Sequence, residues 1–160
     1  MTEKKKSEVT VVPKAAASII PELGFEKDVK REYEGDWFAL EDIPSRHPRL
    51  DGIVLRVKVR SRHTKEYRRA EMTMQTKALR KREVERVEYG LQETKRLTAK
   101  YCLIDWELID VRGELIDFSE ERAMEMMTNM KYREFADFVY ECIAVLQGDL
   151  DDVMEEDEGK

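Results

Sequence analysis

The sequence predicts a mainly α-helical domain of the α+β class, in which a small N-terminal β element is followed by three or four helices. Segment Ile53–Arg60 alternates apolar and basic residues, which is the period of a half-buried strand. The chain after it contains no Pro, few Gly and many helix formers. Segment Tyr132–Leu146 places apolar residues at i, i+3, i+4, i+7, i+8 and i+11. These observations favour one strand-containing segment and then helices.

Length and charge limit the class of protein. The 160 residues suit one domain, and charged residues make up 40% of them, against about 25% in an average domain. Segment Arg56–Arg82 holds eleven Lys or Arg and two Glu, whereas Asp149–Glu158 holds seven acidic residues. Because Tyr67 is the only aromatic residue among these cations, stacking on bases is poorly supported. An acidic protein partner, or the chain's own acidic tail, is favoured over nucleic acid.

Composition divides the chain into three parts. Residues 1–22 contain Pro13 and Pro21 among apolar residues and are predicted to form a flexible arm. Residues 23–147 are predicted to form a single α-rich domain. Residues 148–160 are predicted to be an acidic disordered tail.

Two strands and four helices are expected. Segment Gly35–Leu40 is an aromatic strand candidate, and Ile53–Arg60 is the clearest strand. Helices are predicted over Thr64–Tyr89, ended by Gly90, and over Leu91–Ile109, on a stripe of apolar residues four and three apart. Two further helices complete the prediction. One begins at an N-cap on Ser119 and stops at Asn129, and the other covers Tyr132–Leu146 and ends at Gly148.

The tripeptide Leu-Ile-Asp occurs three times between Leu103 and Asp117, at unequal spacings, so it does not indicate a repeat fold. Asp105, Asp110 and Asp117 could together bind Mg²⁺. No nucleophile, base or glycine-rich phosphate loop accompanies them, so we expect solvated or capping carboxylates. The two cysteines lie in apolar stretches and are expected to be reduced and buried. We expect no metal, no cofactor and no enzymatic activity.

The order of these segments resembles the tail assembly chaperones of long-tailed bacteriophages and prophages. In that family a Trp closes one helix, a segment G-x-x-I-x-[FY]-[ST]-x-E follows, and a final helix carries F-x-x-[FV]-V. The matching residues here are Trp106, then Gly113, Ile116, Phe118, Ser119 and Glu121, then Phe135, Phe138 and Val139. The resemblance covers residues 52–146, and its motifs are structural rather than catalytic.

The resemblance implies a binding protein that acts while a phage tail is built. Such chaperones coat the tape-measure protein, keep it soluble and help recruit tail-tube subunits. The implied partners are therefore the tape-measure protein and the tail-tube protein, with self-association as a further possibility. The implied location is the host bacterial cytoplasm, and the protein is not expected in the mature virion.

Two sets of residues follow from this interpretation. Phe118, Trp106, Phe135 and Phe138 are predicted to form the structural core. Partner binding is predicted for Arg56, Lys58, Arg60, Tyr67, Met74 and Arg80. Two alternatives stay open, namely a structural component of the tail or head–tail joint and a basic-helix regulator that binds nucleic acid.

Overall fold

The computed structural model describes residues 19–148. Within them lie three strands, β1 (Asp36–Ala39), β2 (Val54–Val59) and β3 (Leu103–Ile109), and five α-helices, α1 (Val29–Glu34), α2 (Lys65–Ala78), α3 (Glu83–Tyr101), α4 (Glu120–Thr128) and α5 (Arg133–Gln147). Most of the predicted N-terminal arm (residues 1–22) and nearly all of the predicted acidic tail (residues 148–160) fall outside these residues. The predicted α+β class is confirmed.

The three strands form an antiparallel sheet in the order β1-β2-β3. Leu55, Val57 and Val59 on β2 are at most 3% exposed, while the basic residues between them stay half-buried on the open face. This alternation is the one that the sequence predicts for β2. The aromatic strand candidate is also confirmed, as β1.

Strand β3 contradicts the prediction of a helix over Leu91–Ile109. The helix ends at Tyr101, and the next residues pair with β2, so that Trp106 lies opposite Val57 and Leu108 opposite Leu55. The Cys102 carbonyl accepts a 2.7 Å hydrogen bond from the Arg60 amide at the junction. The apolar residues of this segment suit a strand as well as a helix, and pairing with β2 decides between them.

The single helix predicted over Thr64–Tyr89 is in fact two helices joined by residues 79–82. Arg86 stabilises the break, because its guanidinium donates hydrogen bonds of 3.2 Å to the carbonyls of Ala78 and Lys81. Glu83 and Glu85 in the first turn of α3 match the positive end of its dipole. Gly90 was expected to end a helix and instead lies inside α3.

The two helices predicted after Ser119 are confirmed as α4 and α5. The Ser119 hydroxyl accepts a 3.1 Å hydrogen bond from the Arg122 amide, and Asn129 is the C-cap of α4. Helix α5 ends at Gly148, whose φ of 85° belongs to the left-handed region that glycine adopts without strain.

The core lies between the buried face of the sheet and helices α3, α4 and α5. Trp106, Phe135 and Phe138 are at most 4% exposed, as predicted. Phe118 is half-buried and packs edge-on against Trp106, with ring centres 5.0 Å apart. The Trp106 indole N–H donates a 2.8 Å hydrogen bond to the Ile116 carbonyl, which ties β3 to the segment that follows it.

Candidate functional site: the helical arm

The feature that stands out from the core is a helical arm, defined as α2, residues 79–82 and the first half of α3 up to Leu91. Helix α2 packs chiefly on α3. At its base Tyr67 is 2% exposed, and Thr98 of α3 is fully buried near it. Towards the tip, large apolar side chains are exposed on both helices. The arm is therefore anchored at one end and free of the core at the other.

A groove runs between the two helices on one flank of the arm and is called the arm groove. It encloses about 470 Å³, and the residues that line it are Glu66, Arg69, Ala70, Thr73, Met74, Lys77, Tyr89, Glu93, Leu97 and Tyr101. Its floor is apolar, and its walls carry both signs of charge. Near the tip, Lys77, Arg80 and Lys81 surround Tyr89, and the Lys81 ammonium lies 4.7 Å from the Tyr89 ring centre.

A second apolar surface on the arm is called the arm seam. On α3 it consists of Val84, Val87 and Leu91, spaced i, i+3 and i+7 and 60–74% exposed. On α2 it consists of Met72 and Leu79, seven residues apart and 69% and 71% exposed. None of these five residues is among the six predicted to bind a partner, although their heptad spacing is readable from the sequence.

One of the residues predicted to bind a partner, Met74, lines the arm groove, and a second, Arg80, lies beyond it near the tip. Met74 is half-buried in its floor, and Arg80 is exposed near the tip. Arg56 and Lys58 lie elsewhere, on the open face of the sheet. Arg56 makes a 2.9 Å ion pair with Glu107 and also lies 4.7 Å from the Trp37 ring centre. The cationic face predicted for β2 is thus partly matched by acidic residues on β3.

Arg60 and Tyr67 complete the predicted set. Arg60 is half-buried at the end of β2, with its guanidinium 5.8 Å from the Tyr33 ring centre. Tyr67 is a core residue, so the prediction that it offers a binding surface is wrong for this fold. The reason is that α2 turns Tyr67 towards the base of the arm, where burial raises the pKa of its phenol. The six residues therefore do not form one surface.

Two of the three aspartates considered as a Mg²⁺ site, Asp105 and Asp110, bind different backbone amides. One Asp110 carboxylate oxygen accepts 2.9 Å hydrogen bonds from the amides of Arg112 and Glu114. These hydrogen bonds hold the pKa of Asp110 below its usual value, and the bond from the Glu114 amide has the largest effect. Asp105 accepts a 2.8 Å bond from the Trp106 amide. Between residues 19 and 148 no three His, Cys, Asp or Glu side chains are grouped as metal ligands would be.

Both cysteines are free and buried. Burial raises the pKa of the Cys102 thiol to about 12, and it raises that of Cys142 as well. A thiol with such a pKa contains almost no thiolate at neutral pH, and thiolate is the reactive form. The two side chains therefore act as small apolar core residues.

The structural basis of the family resemblance is mixed. Gly113, with φ of 88°, forms the turn after β3, and Ser119 caps the next helix, as the resemblance implies. Trp106 lies on strand β3, whereas the resemblance implies a Trp that closes a helix.

None of the helices in the described part of the chain combines the length and the apolar composition that a membrane crossing needs. Comparison of the sequence with known protein families and with curated proteins, and of the structure with solved structures, finds no match.

Proposed function

We propose that this protein is a tail assembly chaperone of a long-tailed bacteriophage. It binds the tape-measure protein in the host cytoplasm and helps recruit tail-tube subunits during tail morphogenesis, and it is not retained in the mature virion. The observation that carries the proposal is the arm groove, since it offers an apolar floor between two helices on an arm that the core leaves free.

A groove of this kind suits a helical partner. An amphipathic helix binds such a groove by placing side chains spaced i, i+3, i+4 and i+7 on the apolar floor. Met74, Leu97 and Ala70 supply that floor, and the unbranched thioether of Met74 adapts its shape to different partner side chains. Lys77 and Arg80 towards the tip favour acidic residues on the partner. A long helical tape-measure protein offers many segments of this type.

The test is co-expression of the full chain with the tape-measure protein of the same genome, followed by a solubility assay and co-purification. We expect the chaperone to keep the tape-measure protein soluble. Met74→Glu places a charge on the groove floor and should weaken co-purification by about tenfold or more. Val54→Glu is the matched control, because Val54 is 55% exposed on β2, away from the arm.

Three results would contradict the proposal. One is a tape-measure protein that stays insoluble in the presence of the chaperone. Another is a Met74→Glu variant that binds as well as the control. The third is recovery of this protein from purified virions, which would favour the structural-component alternative. Binding to DNA that falls steeply with salt would favour the nucleic-acid alternative.

A further inference from the structure

A cavity lies between helix α1 and residues 61–66, which join β2 to the start of α2, and it is called the α1 cavity. It encloses about 560 Å³. Val29, Glu32 and Tyr33 form one wall, because residues three and four apart share a helix face. The Ser61 amide on the other wall donates a 3.0 Å hydrogen bond to the Glu32 carbonyl, and this bond holds the two walls together.

The carboxylate of Glu32 is the unusual group in this cavity. Glu32 is 7% exposed, and its side chain lines the cavity. Within residues 19–148 this side chain makes no hydrogen bond and no ion pair. A buried charge without a partner is costly, so carboxylates are seldom buried unless a cation or hydrogen-bond donors meet them. Because the Glu32 oxygens are not sealed inside the protein, the missing partner can reach them through the cavity.

The other buried polar side chains of the cavity have partners. The Ser61 hydroxyl donates a 3.1 Å hydrogen bond to the Gln147 side chain and accepts a 2.9 Å bond from the His63 amide. The Thr64 hydroxyl accepts the capping bond at the start of α2. Of the three buried polar side chains that line the cavity, Glu32 alone is left without a partner in the described part of the chain.

The lysines that line the cavity do not fill this role. The Lys27 ammonium donates a hydrogen bond to the Gln147 carbonyl at the end of α5. Lys65 is exposed at the start of α2 and forms no ion pair with any residue between 19 and 148. Glu32 is therefore available to a cation that comes from outside this part of the chain.

We propose that the α1 cavity binds an organic cation, namely a primary ammonium group on an apolar alkyl stem. The ammonium pairs with the Glu32 carboxylate, and the stem packs on Val29 and on the ring of Tyr33. Such a charge-assisted hydrogen bond is stronger than a neutral one and satisfies the unpartnered carboxylate. A single free carboxylate suits a compact ammonium, whereas the five donors of a guanidinium would be left largely unpaired. Free alkylamines and lysine side chains of other proteins both carry this group.

The first experiment is an NMR titration of the full chain labelled with ¹⁵N. The probes are n-butylamine, which represents a free amine, and Nα-acetyl-lysine methylamide, which represents a lysine within a protein. We expect saturable shifts of the Glu32 and Ser61 amide signals with these probes. The control probe is Nα-acetyl-norleucine methylamide, which has the same stem without the charge and should not bind. Tighter binding of the capped lysine would support a protein segment as the source, and tighter binding of n-butylamine would support a free amine.

The second experiment repeats the titration with Glu32→Gln, which keeps the shape of the side chain and removes its charge. This variant should bind the capped lysine about tenfold or more weakly. The matched control Glu34→Gln changes an exposed residue of the same helix and should leave binding unchanged. Without any probe, Glu32→Gln should raise the melting temperature relative to the control, because it removes a buried charge that has no partner.

Val29→Trp provides a further test that does not alter Glu32. Val29 is 50% exposed, so a larger side chain is tolerated there, and the indole should weaken binding of the capped lysine about tenfold by filling the cavity. The proposal would be overturned if neither amine bound, if the norleucine probe bound as tightly as the lysine probe, or if both folded variants kept the affinity of the unchanged chain. A lower melting temperature of Glu32→Gln would assign the carboxylate to folding instead.

These results are independent of the chaperone proposal, which rests on the arm groove. Of the described residues, Glu66 alone lines both the groove and the α1 cavity. Met74→Glu should therefore leave binding of the capped lysine unchanged while it weakens co-purification of the tape-measure protein.

Discussion

The two halves of α3 have similar heptad spacing but different environments. In the half near the core, Thr98 and the C-cap residue Cys102 are fully buried, and the Thr98 hydroxyl donates a 2.8 Å hydrogen bond to the Thr94 carbonyl. In the half that belongs to the arm, Leu91 is 65% exposed, although its side chain is more apolar than that of Thr98. Periodicity thus defines a stripe, and the elements packed around the helix decide whether the stripe is buried in the core or stays exposed.

The largest expected effect is the difference in stability between a substitution in the core and one on the arm. Phe138→Ala removes a fully buried ring and should lower the free energy of unfolding by about 3–5 kcal/mol. Leu91→Ala on the exposed stripe should change it by less than about 0.5 kcal/mol. Urea unfolding of the dilute protein, followed by circular dichroism, measures both. Equal losses of unfolding free energy would mean that Leu91 is buried within one chain.

A smaller effect, of opposite sign, is expected at Gly90. Gly90→Ala should raise the free energy of unfolding of the monomer by about 0.5–1 kcal/mol, because it lowers the backbone entropy of the unfolded chain and its Cβ meets no neighbour. Urea unfolding of the Gly90→Ala variant and of the unchanged protein measures this gain, and an equal or lower stability of the variant would contradict it.

The smallest expected effect concerns Asp110 in the turn that follows β3. Since hydrogen bonds hold the pKa of Asp110 below its usual 3.8, its ionised form stabilises the fold above that pH, and this contribution is lost as the pH falls through the lowered pKa. Asp110→Asn should therefore slightly lower the free energy of unfolding near neutral pH and have almost no effect at strongly acidic pH. Thermal unfolding of both proteins across this range tests it, and a difference that does not change with pH would contradict it.

Elements with one strong local signal could be predicted from the sequence. Strand β2 alternates over its whole length, and α5 has a wide apolar face and a glycine stop. The N-cap at Ser119 fixed the start of α4. In each case local propensity, periodicity and tertiary contacts favour the same structure.

The remaining elements depend on contacts between distant residues. Segment Leu103–Ile109 fits a helical stripe and a strand, and only pairing with β2, more than forty residues earlier, selects the strand. The break between α2 and α3 contains no Gly or Pro, and it depends on Arg86 reaching back to Ala78 and Lys81. At the candidate site, Met74 and Arg80 could be selected from the sequence, but the burial of Tyr67 could not, because a narrow apolar face does not reveal which of its residues lie at the base.

The hydrogen bond from the Arg60 amide to the Cys102 carbonyl closes a loop of chain that contains both helices of the arm. The arm is therefore an insertion between two neighbouring strands, whose ends meet at one point of the sheet. Its length can change without altering strand pairing. Removing residues 71–77 and 87–93 takes about two turns, or roughly 10 Å, from each helix, keeps the rotational phase of what remains and retains the bonds of Arg86 at the break. A chain shortened in this way should keep its sheet and core while its arm reaches less far from them.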